Sequence, residues 1–356
     1  MKAARLLLIN TLLLAASAHA VTIEMMTIGN AGNLAQSSTN ANQNGYGSVA
    51  YEYQIGKYEV TIGQYTAFLN AVAKVDTYSL YDTSMTSNRN GAGISRSGAI
   101  GSYEYSAIGP FGITPIGASS PDNRPITYVS WFDAARFANW MANGQPTGAQ
   151  TSETTENGAY NVNGATSGTA PAKNGTNPNT GTAPAFYIPT ENEWYKAAYY
   201  SPALSSGSGG YYTYATQSNT DPGNVVGSGA NQAIYYAGDY AVTKSASYSA
   251  SQNYLTDVGA FSGSGSFYGT FDQSGNVYEW NDLAGAAGSG RGLRGGSWYF
   301  GRLDLPSSKR LVFDASSVII DGGFRLAAVP EPSTWASLLA GLACGGYSLF
   351  RRRKQA

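Results

Sequence analysis

Histidine and cysteine are almost missing from this chain, which has one of each, His19 and Cys344, in 356 residues. Both stand in terminal segments that read as export and anchoring signals, so the central part holds neither. A disulfide cannot form there, and Ser/His triads, Cys nucleophiles and histidine-held metals are excluded. Charge is also scarce, at 12% of residues. No Lys/Arg stripe runs through the interior, which argues against a nucleic-acid partner. What the chain has instead is glycine and tyrosine, 44 and 27 residues. That composition fits one large, loop-rich domain whose tyrosines cover apolar area and still hydrogen-bond at their hydroxyls, as neutral ligands such as glycans require, and equally one whose tyrosines only fill loops in an irregular fold.

The two ends read separately from the middle. Residues 1–20 carry Lys2 and Arg5, an apolar run from Leu6 to Ala16, and Ala18-His19-Ala20 as a small-residue cleavage site, the layout of a signal peptide. Residues 329–356 carry Val329-Pro330-Glu331-Pro332, an apolar stretch from Trp335 to Phe350, and a basic cluster, Arg351, Arg352, Arg353 and Lys354. As a helix that stretch spans about 24 Å, short for a bilayer core of about 30 Å, with the basic cluster on the cytoplasmic side. The order Pro-Glu-Pro, short apolar helix, terminal arginines resembles the PEP-CTERM sorting signal of Gram-negative bacteria that make exopolysaccharide. The resemblance implies an exosortase-type processing protease as partner. It also implies a transient membrane anchor and release to the envelope, surface or extracellular matrix. The ends take 6 of the 21 basic residues and 1 of the 22 acidic ones, leaving 15 against 21, an acidic mature domain near −6.

Within residues 21–328 three helices and one early strand are legible. The stretch from Tyr51 alternates as a strand and runs to Thr61, an N-cap for a helix with Ile62, Tyr65, Phe68, Leu69 and Val72 on one face. Ser130 with Asp133 caps a second helix, whose apolar face is Trp131, Ala134, Phe137, Ala138 and Met141. Thr190 and Glu193 form a T-x-x-E capping box for a third, ended by Pro202. Low-complexity insertions are expected at about 77–120, as surface loops, and 144–184, as mostly mobile chain broken by the strand-like Ala159–Val162. Another loop region fills Ser201 to Ser266. The fold class is therefore α+β, loop-rich and low in regular structure.

Glycine, an aromatic ring and a lone charge recur together in FDQSGNVYEW, LRGGSW and GGFRLA between Asp272 and Ala327. Arg294 and Arg325 are expected to be buried beside Trp280, Trp298 or Phe324 and compensated by carboxylates. Added to these, QIGKYEVTIGQYTAFLNA, RPITYVSWFDAARFANWM and IPTENEWYKAA complete an ordered set of six motifs over about Tyr51 to Ala327. The set resembles the sulfatase-modifying factor family, whose founding member is the formylglycine-generating enzyme. The resemblance implies a C-type-lectin-related fold stabilised by calcium and, in active members, copper-dependent oxidation of a substrate cysteine. The family's two cysteine positions fall on about Phe300 and Leu305 here, and neither coordinates copper or exchanges a thiol. The three histidines of the iron-dependent sulfoxide-synthase branch are absent as well, so no catalytic residue is assigned and copper is not expected.

Calcium fares better. The resemblance places one site on Asp272, Gly275, Val277 and Glu279, where two carboxylates flank two turn carbonyls, a donor set suited to a hard cation. Against it stands an ion pair between Glu279 and Arg294 or Arg325. A second site falls on Asn224 and Val225, with Asp239 as a possible third ligand. The expectation is an exported, non-catalytic domain that binds a glycan or peptide. The alternatives are an enzyme of altered, metal-dependent chemistry in the same fold, and a purely architectural matrix component.

Overall fold

The computed structural model describes residues 20–91, 93–114 and 120–329. The signal-peptide segment 1–19 and the PEP-CTERM segment from Pro330 lie outside the described residues. Among the described residues no helix is long and apolar enough to cross a membrane.

Three helices carry the apolar faces read from the sequence: α1 Ile62–Val72, α2 Trp131–Ala142 and α3 Glu191–Tyr199. Each begins with a reciprocal capping box, Thr61 with Gln64, Ser130 with Asp133, and Thr190 with Glu193, which satisfies two of the orphaned N-terminal amides. α3 stops before Pro202, because Tyr200 and Ser201 turn extended and pair with Gly210 and Tyr211. α2 is buried on every face, so its amphipathic stripe understates how enclosed it is.

Eight strands form the two larger sheets: β1 Met25–Ile28, β2 Tyr53–Gly56, β3 Phe186–Tyr187, β4 Tyr278–Asn281, β5 Gly290–Arg294, β6 Leu311–Asp314, β7 Gly322–Phe324 and β8 Ala327–Ala328. One sheet runs β1-β2-β8-β3, all antiparallel. The other runs β6-β5-β4-β7, with β4 and β7 parallel and Phe324 opposite Trp280. The second sheet therefore lines up all three glycine-aromatic-charge motifs. Tyr65, Phe68, Phe137, Trp140 and Phe324 interlock between the helices and this sheet, at ring separations of 5.3–6.0 Å.

Both insertions are more structured than their composition implied. The 77–120 stretch contains a hairpin, Ile94–Ser97 with Glu104–Ala107, and buries Met85, Ile94 and Tyr105. In 144–184, expected to be mostly mobile, Ala159, Tyr160, Val162 and Ala170 are buried. Tyr160 forms a single bridge with Lys173 rather than a strand. Amides do the work that large apolar groups would do elsewhere. Asn139 donates to the carbonyls of Thr155 and Tyr160 at 2.7 and 2.8 Å, and Asn177 donates to Ala142 at 3.1 Å. Side-chain amides satisfy loop backbone directly, so ordering does not depend on apolar burial alone.

Candidate functional site

The second sheet ends in turns that only glycine fits. Gly275 has φ +94° and a Cβ there would stand 2.0 Å from the Ile234 carbonyl oxygen. That turn sets Asp272 and Glu279 around a buried cation, Arg325. The guanidinium bonds both Glu279 oxygens, Nε to Oε2 at 2.5 Å and Nη2 to Oε1 at 2.6 Å. It also donates to the carbonyls of Gly56, Lys57 and Phe271. Trp194 Nε1 adds a bond to Glu279 Oε2 at 2.8 Å. Asp272 accepts from the Gly259 amide at 2.5 Å, and burial pushes its pKa up to about 6. Val277 is fully buried beside Trp298.

Arg294 is paired too, though with different neighbours than expected. Its Nε meets Glu191 Oε1 of α3 at 2.7 Å, and its guanidinium lies 5.0 and 4.8 Å from the rings of Tyr46 and Tyr195. The motif spacing pointed to Trp280, Trp298 or Phe324. Glu191 was already visible as an acid in the first helical turn.

Sequence reasoning missed Glu59. It is 2% exposed, its carboxylate oxygens have no hydrogen-bond partner, and Arg325 Nη2 is 4.0 Å away. Burial raises its pKa well above the carboxylate range; Asp272 and Glu279 add to this and Arg325 opposes it. Glu59 is therefore carried as the neutral acid. An acid whose folded pKa is raised contributes stability that is full below its unfolded pKa and is lost as pH rises through the folded value. Glu59→Gln is expected to flatten the fall in stability that sets in as pH rises above the ordinary carboxylate value of 4.5, read from urea midpoints. Parallel wild-type and variant profiles would contradict this.

The second proposed calcium set also holds a protein cation. Lys244 Nζ lies 2.7 Å from the Asn224 carbonyl oxygen and 2.5 Å from Asn224 Oδ1, and 3.6 Å from Asp239 Oδ1. Asn224 Nδ2 closes the ring by donating to Asp239 Oδ1 at 2.7 Å. Val225 is 60% exposed at the edge of this loop. As arranged, neither set fits a calcium ion: Glu279 is the counter-ion of Arg325, and the Asn224 and Asp239 oxygens surround an ammonium group. Among the described residues no three carboxylate, His or Cys groups converge as a metal site.

The run after the GGS turn forms an aromatic surface. Tyr248, Tyr254 and Trp298 stack as a ladder, 5.8 Å at 16° and 4.9 Å at 9°. Tyr248, Tyr299 and Phe300 form its solvent side, at 50, 47 and 41% exposure. Tyr278 packs edge-on to Phe300 and donates to Asp304 at 2.8 Å, while Ser297 donates to Asp321 at 2.5 Å. Leu305, by contrast, is fully buried, its Cδ2 lying against the Gly296 turn. The stretch from Ser201 to Ser266, read from the sequence only as a loop region, supplies Tyr240, Tyr248 and Tyr254; their recurrence among glycines and serines was the available signal.

Residues 14–329 match the model of the sulfatase-modifying factor enzyme 1-like domain. Among solved structures the chain is similar to Treponema denticola variable protein 1, at 20% identity and TM-score 0.48, covering 88% of this chain and 98% of that one. It is similar to CarF at 20% identity and TM-score 0.44, covering 87% and 99%. It is also similar to PvdO from Pseudomonas aeruginosa at 16% identity and TM-score 0.41, covering 86% and 92%. No curated protein matches the chain. With most of its length matched by one family model, the chain belongs to the sulfatase-modifying factor enzyme 1-like domain family.

Proposed function

We propose that this is an exported, surface- or matrix-associated member of the family that binds a glycan and does not generate formylglycine. The observation that carries the reading is the aromatic surface at Phe300. Where the resemblance puts one reactive thiol the chain has an exposed ring, and where it puts the other it has Leu305, wholly buried. Neither side chain has an exchangeable proton or a soft donor atom, so thiol oxidation has no protein nucleophile there.

What is present suits sugar binding. A pyranose shows an apolar C–H face and a rim of hydroxyls. The ring faces of Tyr248 and Tyr299, with Phe300 beside them, and the Tyr299 hydroxyl offer the complementary pairing of flat apolar area and hydrogen-bonding edge. Stacking behind Tyr248 holds the surface rigid, which lowers the entropy lost on binding. The two terminal signals agree with a place outside the cytoplasm, after processing by an exosortase-type protease.

Tyr248→Ala and Phe300→Ala are each expected to weaken retention on immobilised exopolysaccharide at least about tenfold, a loss of about 1.4 kcal/mol typical of an anchoring aromatic. Both positions are only about half exposed and Tyr248 also donates to Asn90, so melting temperatures should fall, by no more than a few degrees. Retention that survives both substitutions, or binding to peptides alone, would overturn the reading, as would aldehyde formed on a thiol-bearing test peptide.

A further inference from the structure

We infer that this chain forms a two-fold dimer by pairing its edge strand β6, Leu311–Asp314, with the same strand of a second copy. β6 closes one side of the second sheet, with β5 as its one strand partner among the described residues. Val312 and Phe313 are 49 and 39% exposed, Asp314 is exposed and Leu311 is half-buried. An edge that offers apolar side chains and main-chain donors together is a template for another strand, and native chains guard such edges with lysine, proline, a bulge or a covering element. Leu311, Val312 and Phe313 bring neither charge nor proline.

The direction in which each residue of β6 bonds follows from one contact. The register sets Asp314 opposite Gly290, so Ala315 stands opposite Ser289, and the Ala315 amide donates to the Ser289 carbonyl at 2.8 Å. Antiparallel bonding alternates along a strand, so Phe313 and Leu311 also turn their main-chain groups toward β5. Those of Val312 and the amide of Asp314 therefore point out of the sheet, while the Asp314 carbonyl is taken by the Ser317 amide at 2.9 Å. Two antiparallel copies related by an axis through Val312 bring the outward groups face to face. Each Val312 then exchanges both bonds with its counterpart, and each Asp314 amide meets the Arg310 carbonyl of the other copy.

Charge identifies the partner as a second copy. In this register Arg310 faces Asp314 at both ends and Leu311 faces Phe313, so the order basic, apolar, acidic is its own complement. A parallel pairing would set Arg310 against Arg310. Both side chains keep capacity for the contact. Arg310 bonds Glu191 through Nε, at 2.8 and 3.0 Å, which leaves its terminal nitrogens. The Ser316 amide and hydroxyl both donate to Oδ1 of Asp314, which leaves Oδ2. The contact is isologous and uses up the edge of each copy, so association closes at the dimer.

The test is sedimentation velocity of the full-length chain over a range of concentrations, in a non-ionic detergent that shields the two terminal apolar runs. A reversible dimer is expected. Val312→Pro removes an outward amide without costing a bond to β5, and should weaken association at least about tenfold with the chain still folded by circular dichroism. Asp314→Arg sets like charges opposite each other at both ends and should weaken it by about the same factor. Register is read by oxidation in a Cys344→Ser background, since directly paired Cα atoms about 5.5 Å apart fall within disulfide reach. Val312→Cys should form a covalent dimer by itself, whereas Leu311→Cys and Phe313→Cys should do so only when mixed with each other. A chain that stays monomeric, alone or with a strand of another protein bound, a dimer indifferent to both Val312→Pro and Asp314→Arg, or a Val312→Cys chain that does not cross-link would each overturn the inference. None of these readouts involves a glycan, so the aromatic-surface reading stands or falls separately.

Discussion

Glu279→Ala should cost about 3–5 kcal/mol of folding stability, enough to unfold a domain of ordinary stability at growth temperature. The reason is positional. Tyr278–Trp280 of β4 pair in register with Gly322–Phe324 of β7, and Arg325 follows directly. The Glu279–Arg325 bond thus locks the parallel pair, while the remaining guanidinium hydrogens hold the loops at Gly56, Lys57 and Phe271. Removing the carboxylate leaves a fully buried guanidinium whose nearest other acid, Glu59, is 4.0 Å away. Glu59 would then ionise and recover part of the loss, so Glu279→Ala combined with Glu59→Gln should be worse than the sum of the two alone. Urea denaturation of the four proteins gives the coupling directly. A loss below about 1 kcal/mol for Glu279→Ala would show that the pair is dispensable.

The sequence made the helices legible because their signals are local. Thr61, Ser130 and Thr190 mark three starts, and each is capped as read. It made the motif-bearing sheet legible as a scaffold, since glycine beside a lone charge and an aromatic needs a built environment. Partner choice was less readable. Arg325 found Glu279, the ion pair weighed against calcium at that site, whereas Arg294 found Glu191 from more than a hundred residues away. Long-range pairing depends on topology, and nothing in the spacing of RGGSW specifies α3. The insertions misled for a different reason. Asn and Thr score as disorder-prone by hydropathy, yet the 144–184 stretch is held to α2 by amides from both sides: Asn139 of α2 and its C-cap Asn143 donate to the backbone of Thr155 and Thr154, and Asn177 donates to the Ala142 carbonyl.

Lys244→Met should make the Asn224 loop responsive to calcium, which the unsubstituted chain should not be. The ammonium of Lys244 now neutralises the oxygens of Asn224 and Asp239, so a divalent ion would have to displace it against like charge. Methionine keeps the length of the stem and removes the charge. Because Lys244 and Asp239 are both more than a third exposed, losing their pairing alone should cost no more than about 1 kcal/mol. The oxygens left behind, those of Asn224 and Asp239 with the Val225 carbonyl at the rim, are of the kind calcium takes, with water completing the shell. Calcium at about a hundred times its Kd would then stabilise the variant by about 2.7 kcal/mol, and a chelator would abolish the gain. Melting curves with calcium and with EDTA separate the cases. A wild-type chain that loses as much stability in EDTA as the variant does would show that calcium, and not Lys244, holds this loop. A variant that ignores calcium would show that the oxygens are arranged for an ammonium group alone.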